Sequence, residues 1–359
     1  MTTLAELDAD PYPTYARLRA VEPVAWLPEA GQWLVTDWHD VLSALSDPDR
    51  FAGDHVDVHD VFRRAYDHEQ LAEQIDAIAR PVARKAADDI FTSGRADLAA
   101  EYFEPVAAVA EATLLGIGAG GADTLRRWGN ALAARTNNFG RNPAIDTGAV
   151  TAMAEDAAVA VVVERLRKRP DGSVVARMVQ AGADVLPVLK QLAVGVLQPG
   201  WLAGWTLLAL WADREQLADV TANRGLLGAA VYEGLRWAAP VGAVGRRATR
   251  PLSLGGKEIA TGDRLALAIA SANRDGAVFD DPDRFDVHRP LRPHLGFGAG
   301  PHHCPAHPLV TAVAGAALDV LFERMPDVRP ALGWRPAPHG WRLRVPGRIV
   351  AEWDGGRHR

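Results

Sequence analysis

The sequence predicts a mainly α-helical fold with a small β region, and three observations favour this class. First, long segments carry apolar residues at helical spacing, as in the stripe formed by Leu71, Ile75, Ile78, Val82, Ala86 and Ile90. Second, the runs with β character are short and are separated by turn residues. Third, a glycine-rich loop that ends at Cys304 leads into an apolar, helix-like run over residues 309–322.

The composition is that of an ordinary globular protein. Hydrophobic residues make up 48% and charged residues 23% of the 359 positions, and the net charge of −6 lacks the basic surplus of a nucleic-acid-binding protein. The N-terminus has neither the basic region nor the apolar core of a signal peptide, and no uninterrupted apolar run reaches the roughly 20 residues that cross a bilayer. We therefore expect a cytoplasmic protein with no nucleic-acid partner and no membrane association.

The N-terminal part of the chain alternates between helices and short strands. A helix entered at a proline is predicted over Asp10–Arg19, and a helix capped by an aspartate is predicted over Asp37–Leu45. Two β-rich runs, Val24–Leu27 and Trp33–Thr36, lie between these helices. We expect the two runs to form a hairpin.

The middle of the chain is predicted to be helical. Residues 69–115 follow the helical period except for a turn at Gly94–Asp97, and residues 116–121 form a glycine-rich break. Further helices are predicted over residues 122–135 and 148–168.

One long apolar helix and several short strands are predicted for the C-terminal half. The helix spans residues 184–212 and contains Trp201 and Trp205, whose rings either stack on a substrate or belong to the core. Short β runs follow within residues 252–269, and residues 335–353 are predicted to form a terminal β-hairpin.

The loop from Leu295 to Leu309 contains the only cysteine of the chain. Gly296, Gly298 and Gly300 occupy alternate positions before Cys304, which suits a backbone that bends sharply. Loop N–H groups and the N-terminus of the following helix both favour a thiolate over a thiol. A thiolate held in this way is a metal ligand or a nucleophile.

Three interpretations of this cysteine compete. A zinc site would use four neighbouring side chains, those of His302, His303, Cys304 and His307. Four neighbours on one short loop cannot easily surround an ion tetrahedrally. A buried structural cysteine is the second interpretation. The third is an axial thiolate ligand of haem iron.

The order Phe297-Gly-x-Gly-x-His302-x-Cys304 resembles the haem-binding loop of the cytochrome P450 family. The resemblance extends through most of the chain. Glu233-Gly-Leu-Arg236 is similar to the family's ExxR pair, and the later segment Asp281–Phe285 makes Arg284 the expected third partner. Ala272-Asn-Arg-Asp275 lies between the ExxR pair and the segment Asp281–Phe285, which is the order found in the family. The resemblance implies a single haem-thiolate catalytic domain over residues 1–359, with haem between the family's I and L helices.

The resemblance also assigns roles to individual residues. It implies haem b as the cofactor and Cys304 as its metal ligand, with Phe297 and Gly298 beside the sulfur. It further implies contacts to the haem propionates from four side chains, those of His302, Arg246, His59 and Arg63, with Arg247 as the alternative to Arg246.

The predicted long helix departs from the family where most members carry an acid and an alcohol that deliver protons. Here the run is Val194-Gly-Val-Leu-Gln-Pro-Gly-Trp201. If Gly195 matches the family's glycine, Leu197 and Gln198 replace the pair; a shift of one residue puts Gln198 and Pro199 there instead. Neither residue of either pair carries a titratable proton. Gln198 and Pro199 are the candidate catalytic residues because, in one register, they occupy the positions of the family's acid and alcohol. Pro199 also predicts a kink or a simple helix break.

The chain is also short between Phe51 and His59, where related bacterial members carry a lid over the substrate side. The basic residue that helps to dock a ferredoxin is missing from Pro308–Thr311, although Arg63, Arg64, Arg84 and Lys85 could supply a basic patch. Ferredoxin and its reductase are therefore candidate partners, and dependence on them stays open.

The resemblance implies a haem-thiolate oxidoreductase of the monooxygenase type, acting on a small organic substrate in bacterial specialised metabolism. The missing acid and alcohol point to non-standard use of oxygen or of peroxide. Two alternatives stay open: a redox-neutral haem enzyme (an isomerase, a dehydratase or a group-transfer catalyst) and a haem-binding protein without turnover.

Overall fold

The computed structural model describes residues 2–53, 62, 64–65 and 68–355, and the side chains of residues 68–73 are left out. Contacts within the chain group these residues into two units. The β-rich unit contains the described residues before 57 together with 232–304 and 338–345; the helical unit contains the described residues from 62 to 231 together with 305–337 and 346–355. The single catalytic domain predicted over residues 1–359 stays a prediction.

Helices dominate the described residues, which confirms the predicted fold class. In chain order they are α1 Leu4–Ala9, α2 Pro11–Val21, α3 Trp38–Ser46, α4 His68–Phe91, α5 Glu104–Leu115, α6 Ala119–Thr136, α7 Pro143–Ala154, α8 Ala157–Lys168, α9 Val174–Gln180, α10 Val185–Ala212, α11 Arg214–Ala222, α12 Leu227–Ala238, α13 Ile269–Ala272 and α14 His307–Arg324. A π-helical segment, Ala99–Phe103, precedes α5, and single 3₁₀ turns span Arg224–Leu226 and Gly300–His302.

The strands found in the described residues are short and form three small sheets. They are β1 Val24–Leu27, β2 Gln32–Val35, β3 Phe51–Ala52, β4 Arg95–Asp97, β5 Val244–Ala248, β6 Leu252–Leu254, β7 Lys257–Ile259, β8 Arg264–Leu267, β9 Arg329–Pro330 and β10 Val350–Glu352. The largest sheet has the order β1-β2-β8-β5-β3 and lies in the β-rich unit. Its β2–β8 pair is parallel and its other pairs are antiparallel.

The N-terminal predictions are confirmed, and their caps are as the sequence indicates. Asp10 accepts a hydrogen bond from the N–H of Tyr12 at the start of α2, and Asp37 accepts one from the N–H of Asp40 at the start of α3. The hairpin pairs Val24 with Val35.

Three sequence predictions need correction. The segment 148–168 contains two helices, α7 and α8, because the chain leaves helical geometry at Glu155. Gly94–Asp97 is largely the strand β4. The terminal hairpin over 335–353 is wrong: Leu343 bridges Val241, whereas β10 pairs with β4 and β9. Between the two runs, Pro346 lacks a backbone donor and Gly347 has a φ of +72°, so the chain changes direction and the two runs do not pair with each other. Within 335–353, an antiparallel bridge joins His339 to Val345.

The long helix α10 is the centre of the helical unit, where it packs on α5, α6 and α14. Small residues let the backbones approach closely. A Cβ atom added to Gly129 would lie 2.6 Å from the carbonyl oxygen of Ala193, and one added to Gly200 would lie 2.7 Å from that of Phe103. The helix continues through Pro199, so the expected alternative of a helix break is wrong.

In the described part of the chain, α10 has the length and apolar composition of a membrane span, and 72% of its most apolar window is buried against protein. A bent pair, the segment Ala99–Leu115 with α6, passes the same test only if it counts as one span.

Candidate functional site

The backbone of the Cys304 loop is fixed by its own hydrogen bonds. The N–H of Gly298 donates to the carbonyl of Leu295 at 2.8 Å, and the N–H of Cys304 donates to the carbonyl of Phe297 at 2.9 Å. Gly298 has a φ of +73°, a conformation that favours glycine. The loop is thus a preformed turn that ends at a half-buried thiol.

Both the backbone conformation at position 300 and the close approach of a neighbouring backbone favour glycine there. Its φ is +68°, and a Cβ atom at this position would lie 2.7 Å from the carbonyl oxygen of Leu45, at the end of α3. The following 3₁₀ turn closes when the N–H of His303 donates to the carbonyl of Gly300. The end of α3 therefore supports the turn that precedes Cys304.

The first half of the loop is held by a neutral histidine. His294 accepts the N–H of Gly296 through Nδ1 at 3.1 Å, and its ring packs on Tyr232 with 4.3 Å between ring centroids. Burial, aided by the nearby Arg236 guanidinium, lowers the pKa of His294 to about 4. The ring is therefore uncharged at neutral pH, as a ring nitrogen that accepts a hydrogen bond must be.

His302 and Arg246, the two predicted propionate ligands that are described, belong to the β-rich unit. The half-buried His302 ring lies beside Gly53: a Cβ atom added to Gly53 would be 3.8 Å from Nε2 of His302. Arg246 is 7% exposed and donates through Nη1 to the carbonyl of Gly245. Arg247 is exposed and donates to the carbonyl of Gly262. Burial of a cationic side chain favours Arg246 over Arg247 as an anion ligand. The other two predicted ligands, His59 and Arg63, lie outside the described residues.

The ExxR pair forms a buried bidentate ion pair. Arg236 donates to Glu233 at 2.7 and 2.8 Å, and the two residues are 1% and 4% exposed. The prediction that Arg284 is the third partner is wrong. Arg289 provides the second guanidinium, 3.1 Å from Glu233, whereas Arg284 has an exposed side chain and contributes its carbonyl oxygen.

The segment of α10 that carries the predicted departure has one open stripe and one buried face. Gln191, Val194, Gly195 and Gln198 are only partly buried and follow the helical repeat, and a Cβ atom added to Gly195 would meet nothing within 4 Å. Leu197 is 0% exposed and packs against Gly129 of α6. Of the candidate residues, Gln198 thus lies on the open stripe, whereas Pro199 is buried.

The two tryptophans of α10 belong to the core. Trp201 is 1% and Trp205 is 6% exposed, and Nε1 of Trp201 donates to Oε1 of Glu104 at 3.3 Å. Burial raises the pKa of this carboxyl above its ordinary value. The alternative that these rings stack on a substrate is therefore wrong.

The donor set near Cys304 suits an iron porphyrin better than a zinc ion. Among the described residues, no group of three or more His, Cys, Asp or Glu side chains could hold a metal ion, so the zinc interpretation is wrong. A porphyrin brings four nitrogen ligands of its own and requires only an axial donor from the protein. One thiol in a preformed loop meets that requirement.

Comparison with known families supports the same conclusion. The family model described as "Cytochrome P450" matches residues 212–312, which include the ExxR pair and the Cys304 loop. The chain is 30% identical to a mycinamicin IV hydroxylase/epoxidase from Micromonospora griseorubida, with 94% of each chain covered. It is also 30% identical to the monooxygenase PikC from Streptomyces venezuelae, with 92% of this chain and 88% of the other covered.

A solved structure shares the fold over nearly the whole chain. P450BioI in complex with an acyl carrier protein ligated to hexadec-9Z-enoic acid superposes with a TM-score of 0.86 at 22% identity, covering 98% of this chain and all of that one. The alignment with the mycinamicin relative spans 393 positions, more than the 359 residues of this chain. The relative therefore contains segments that this chain lacks.

Proposed function

Because the chain belongs to the cytochrome P450 family, we propose that it is a haem-thiolate oxidoreductase of the monooxygenase type, acting on a small organic substrate of bacterial specialised metabolism. The cofactor of this family is haem b. The observation that supports the assignment most directly is the Cys304 loop, in which Gly298 and Gly300 adopt positive φ and the N–H of Cys304 is bonded to Phe297.

The Cys304 loop and the strand β5 would supply residues that hold the cofactor. Cys304 would supply the thiolate ligand, and backbone N–H groups of its loop would moderate the charge on the sulfur. Phe297 and Gly298 shape the loop beside it. The cationic Arg246 and the imidazole of His302 suit the propionate carboxylates, with His59 and Arg63 as the proposed further ligands.

Bound haem supplies the activation of dioxygen or peroxide that a hydroxylation or an epoxidation requires. The way this chain delivers protons is unusual. Proton delivery normally needs an ionisable or hydroxyl side chain, and neither Leu197 nor Gln198 provides one. Gln198 can donate and accept hydrogen bonds through its amide but has no titratable proton. Leu197 is apolar and faces α6. Protons must therefore come from a substrate hydroxyl or from ordered water, which Gln198 can orient. Peroxide arrives already reduced and protonated and needs less of this help.

The names of the relatives support oxygen insertion into a natural product. Besides the mycinamicin hydroxylase/epoxidase, the chain is 30% identical to an epothilone C/D epoxidase from Sorangium cellulosum over 91% of its length. Ferredoxin and its reductase are the candidate electron donors, and we expect the protein to act in the cytoplasm.

Turnover measured under three conditions tests the proposal. The purified protein is mixed with candidate substrates and supplied with NADPH, ferredoxin and ferredoxin reductase, with hydrogen peroxide, or with neither. Oxygenated product in either of the first two conditions supports the proposal. Product formed without reductant or peroxide supports the redox-neutral alternative, which the absence of an acid at Leu197 and Gln198 favours. Tight substrate binding without any product supports a haem-binding protein without turnover.

A further inference from the structure

The tetrapeptide Ala272-Asn-Arg-Asp275 begins at the last residue of α13 and has no part in the chemistry described above. Its three polar residues are nevertheless buried: Asn273 is 0%, Arg274 is 5% and Asp275 is 9% exposed. Burial of three polar side chains in a row is costly unless each one makes specific hydrogen bonds.

Asn273 connects the ExxR pair to the start of the Cys304 loop. Its backbone carbonyl accepts Nη1 of Arg236 at 2.8 Å, and its side-chain Oδ1 accepts the N–H of Leu295 at 2.7 Å. Leu295 in turn accepts the N–H of Gly298. A continuous path of hydrogen bonds thus runs from Arg236 into the glycine turn before the thiol.

Asp275 fixes a second element that touches the same loop. Its Oδ2 accepts the N–H of Trp38, the first residue of α3, at 2.9 Å, and its Oδ1 accepts the N–H of Ala277. The opposite end of α3 supports Gly300 through the carbonyl of Leu45. Asn273 and Asp275 therefore act on the two halves of the loop, one directly and the other through α3.

Arg274 holds the tetrapeptide itself in place. Its guanidinium lies 3.4 Å from the centroid of Tyr12 and 4.5 Å from that of Trp237, and its Nε donates to the carbonyl of Trp237. The side chains on either side of Arg274 thus project from a fixed backbone.

We propose that Asn273 and Asp275 are positioning residues that set the geometry of the Cys304 loop and keep its sulfur on the haem iron. This inference rests on the proposed function for its cofactor, although the hydrogen bonds to Leu295 and Trp38 exist in the protein chain alone. Loss of the Asn273 bond leaves the N–H of Leu295 buried without its acceptor, which frees the turn before the thiol.

Three variants test the role of Asn273. N273A removes the acceptor, N273D retains an acceptor oxygen of the same shape, and S271A serves as the matched control. Ser271 is also 0% exposed and lies on the same segment, but its hydroxyl bonds Arg19 and not the loop. D275A tests the second connection.

The first readout is the carbon monoxide spectrum of the reduced holoenzyme, followed over time. We expect the thiolate-ligated band of N273A to decay about tenfold faster than that of the wild type, the effect of one lost buried hydrogen bond. D275A should decay faster as well. S271A should decay at the wild-type rate, and N273D should decay more slowly than N273A because it keeps an oxygen that accepts the N–H of Leu295. Decay of N273A at the wild-type rate, or equally fast decay of S271A, would overturn the proposal.

The second readout needs no haem. The rate at which iodoacetamide alkylates Cys304 in the haem-free chain should rise in N273A and not in S271A, with unfolding in urea measured on each variant. A wild type without the thiolate band, combined with this difference in alkylation, would overturn the proposed function while retaining the positioning role. Equal alkylation rates in N273A, S271A and wild type would overturn the positioning role.

Discussion

Nε of Arg289 lies 3.1 Å from Oε1 of Glu233, the same oxygen that accepts Nη2 of Arg236. One carboxylate therefore joins two guanidinium groups, and it also accepts the backbone N–H of Asp286. The carbonyl oxygens of Arg284, Asn273 and Pro282 accept further donors from the two arginines. Removal of one member of this cluster should destabilise the protein, because it leaves the former partners buried with some of their hydrogen bonds lost.

Replacement of Arg289 tests this cluster. We expect R289A to lower the free energy of unfolding by about 3 kcal/mol, because it leaves the charge on Glu233 only partly balanced. R284A is the matched control, since that side chain is exposed and only its backbone carbonyl takes part. Urea unfolding of the two variants measures the difference. An equal loss in R284A would contradict the assignment of Arg289.

The contact between α6 and α10 gives a second prediction. A Cβ atom at Gly129 would lie 2.6 Å from a backbone oxygen, so G129A should destabilise the protein by about 2 kcal/mol through overpacking. Gly195 provides the control, because nothing lies within 4 Å of a Cβ atom there. G195A should stabilise the helix by up to about 1 kcal/mol. Thermal unfolding measures both shifts, and a stable G129A would show that the helices do not pack as described.

Glu111 predicts how stability depends on pH. This residue of α5 is 7% exposed, and burial raises the pKa of its carboxyl from 4.5 to about 8. Between these two values the unfolded chain is ionised while the folded chain keeps the proton, so the stability contributed by this group falls as the pH rises. E111Q should remove that part of the slope and raise the midpoint of thermal unfolding more at pH 8 than at pH 5.

The exposed Glu258 is the control for this experiment. E258Q should leave the pH dependence of unfolding as it is in the wild type. A wild-type slope in E111Q would mean that Glu111 is ionised in the folded protein.

The proton-delivery argument predicts a gain of function. Because Gln198 lies on the open stripe of α10, Q198E combined with P199T would place an acid and an alcohol at the family's positions in one of the two registers. NADPH-coupled product formation should rise by about a hundredfold, the lower end of the usual range for general acid–base catalysis. Peroxide-driven product formation should change less, since peroxide brings its own protons. Equal changes in both assays would argue against a missing relay.

Much of the fold follows from local signals in the sequence. Asp10 and Asp37 mark helix starts because their carboxylates accept hydrogen bonds from free N–H groups of the first helical turn. The apolar run of α10 is long enough to predict a helix by itself. The positive φ at Gly298 and Gly300 matches the alternate glycines.

Other features depend on contacts that the sequence does not encode locally. Arg289 and Arg284 are five positions apart in the same segment, and only the path of the chain decides which guanidinium reaches Glu233. The failure of the terminal hairpin has the same cause, since β10 finds its partners in β4 and β9. In the sequence, Leu197 stands where one register places the family's acid. In the structure, its side chain packs beside Gly129.

The bond from Cys304 to haem iron is tested most directly by the carbon monoxide spectrum of the reduced, haem-reconstituted protein, recorded for the wild type and for C304S. The wild type should show the band of a thiolate-ligated haem, and C304S should lack it. A wild type without this band, or a C304S variant that keeps it, would contradict the assignment of Cys304 as the axial ligand.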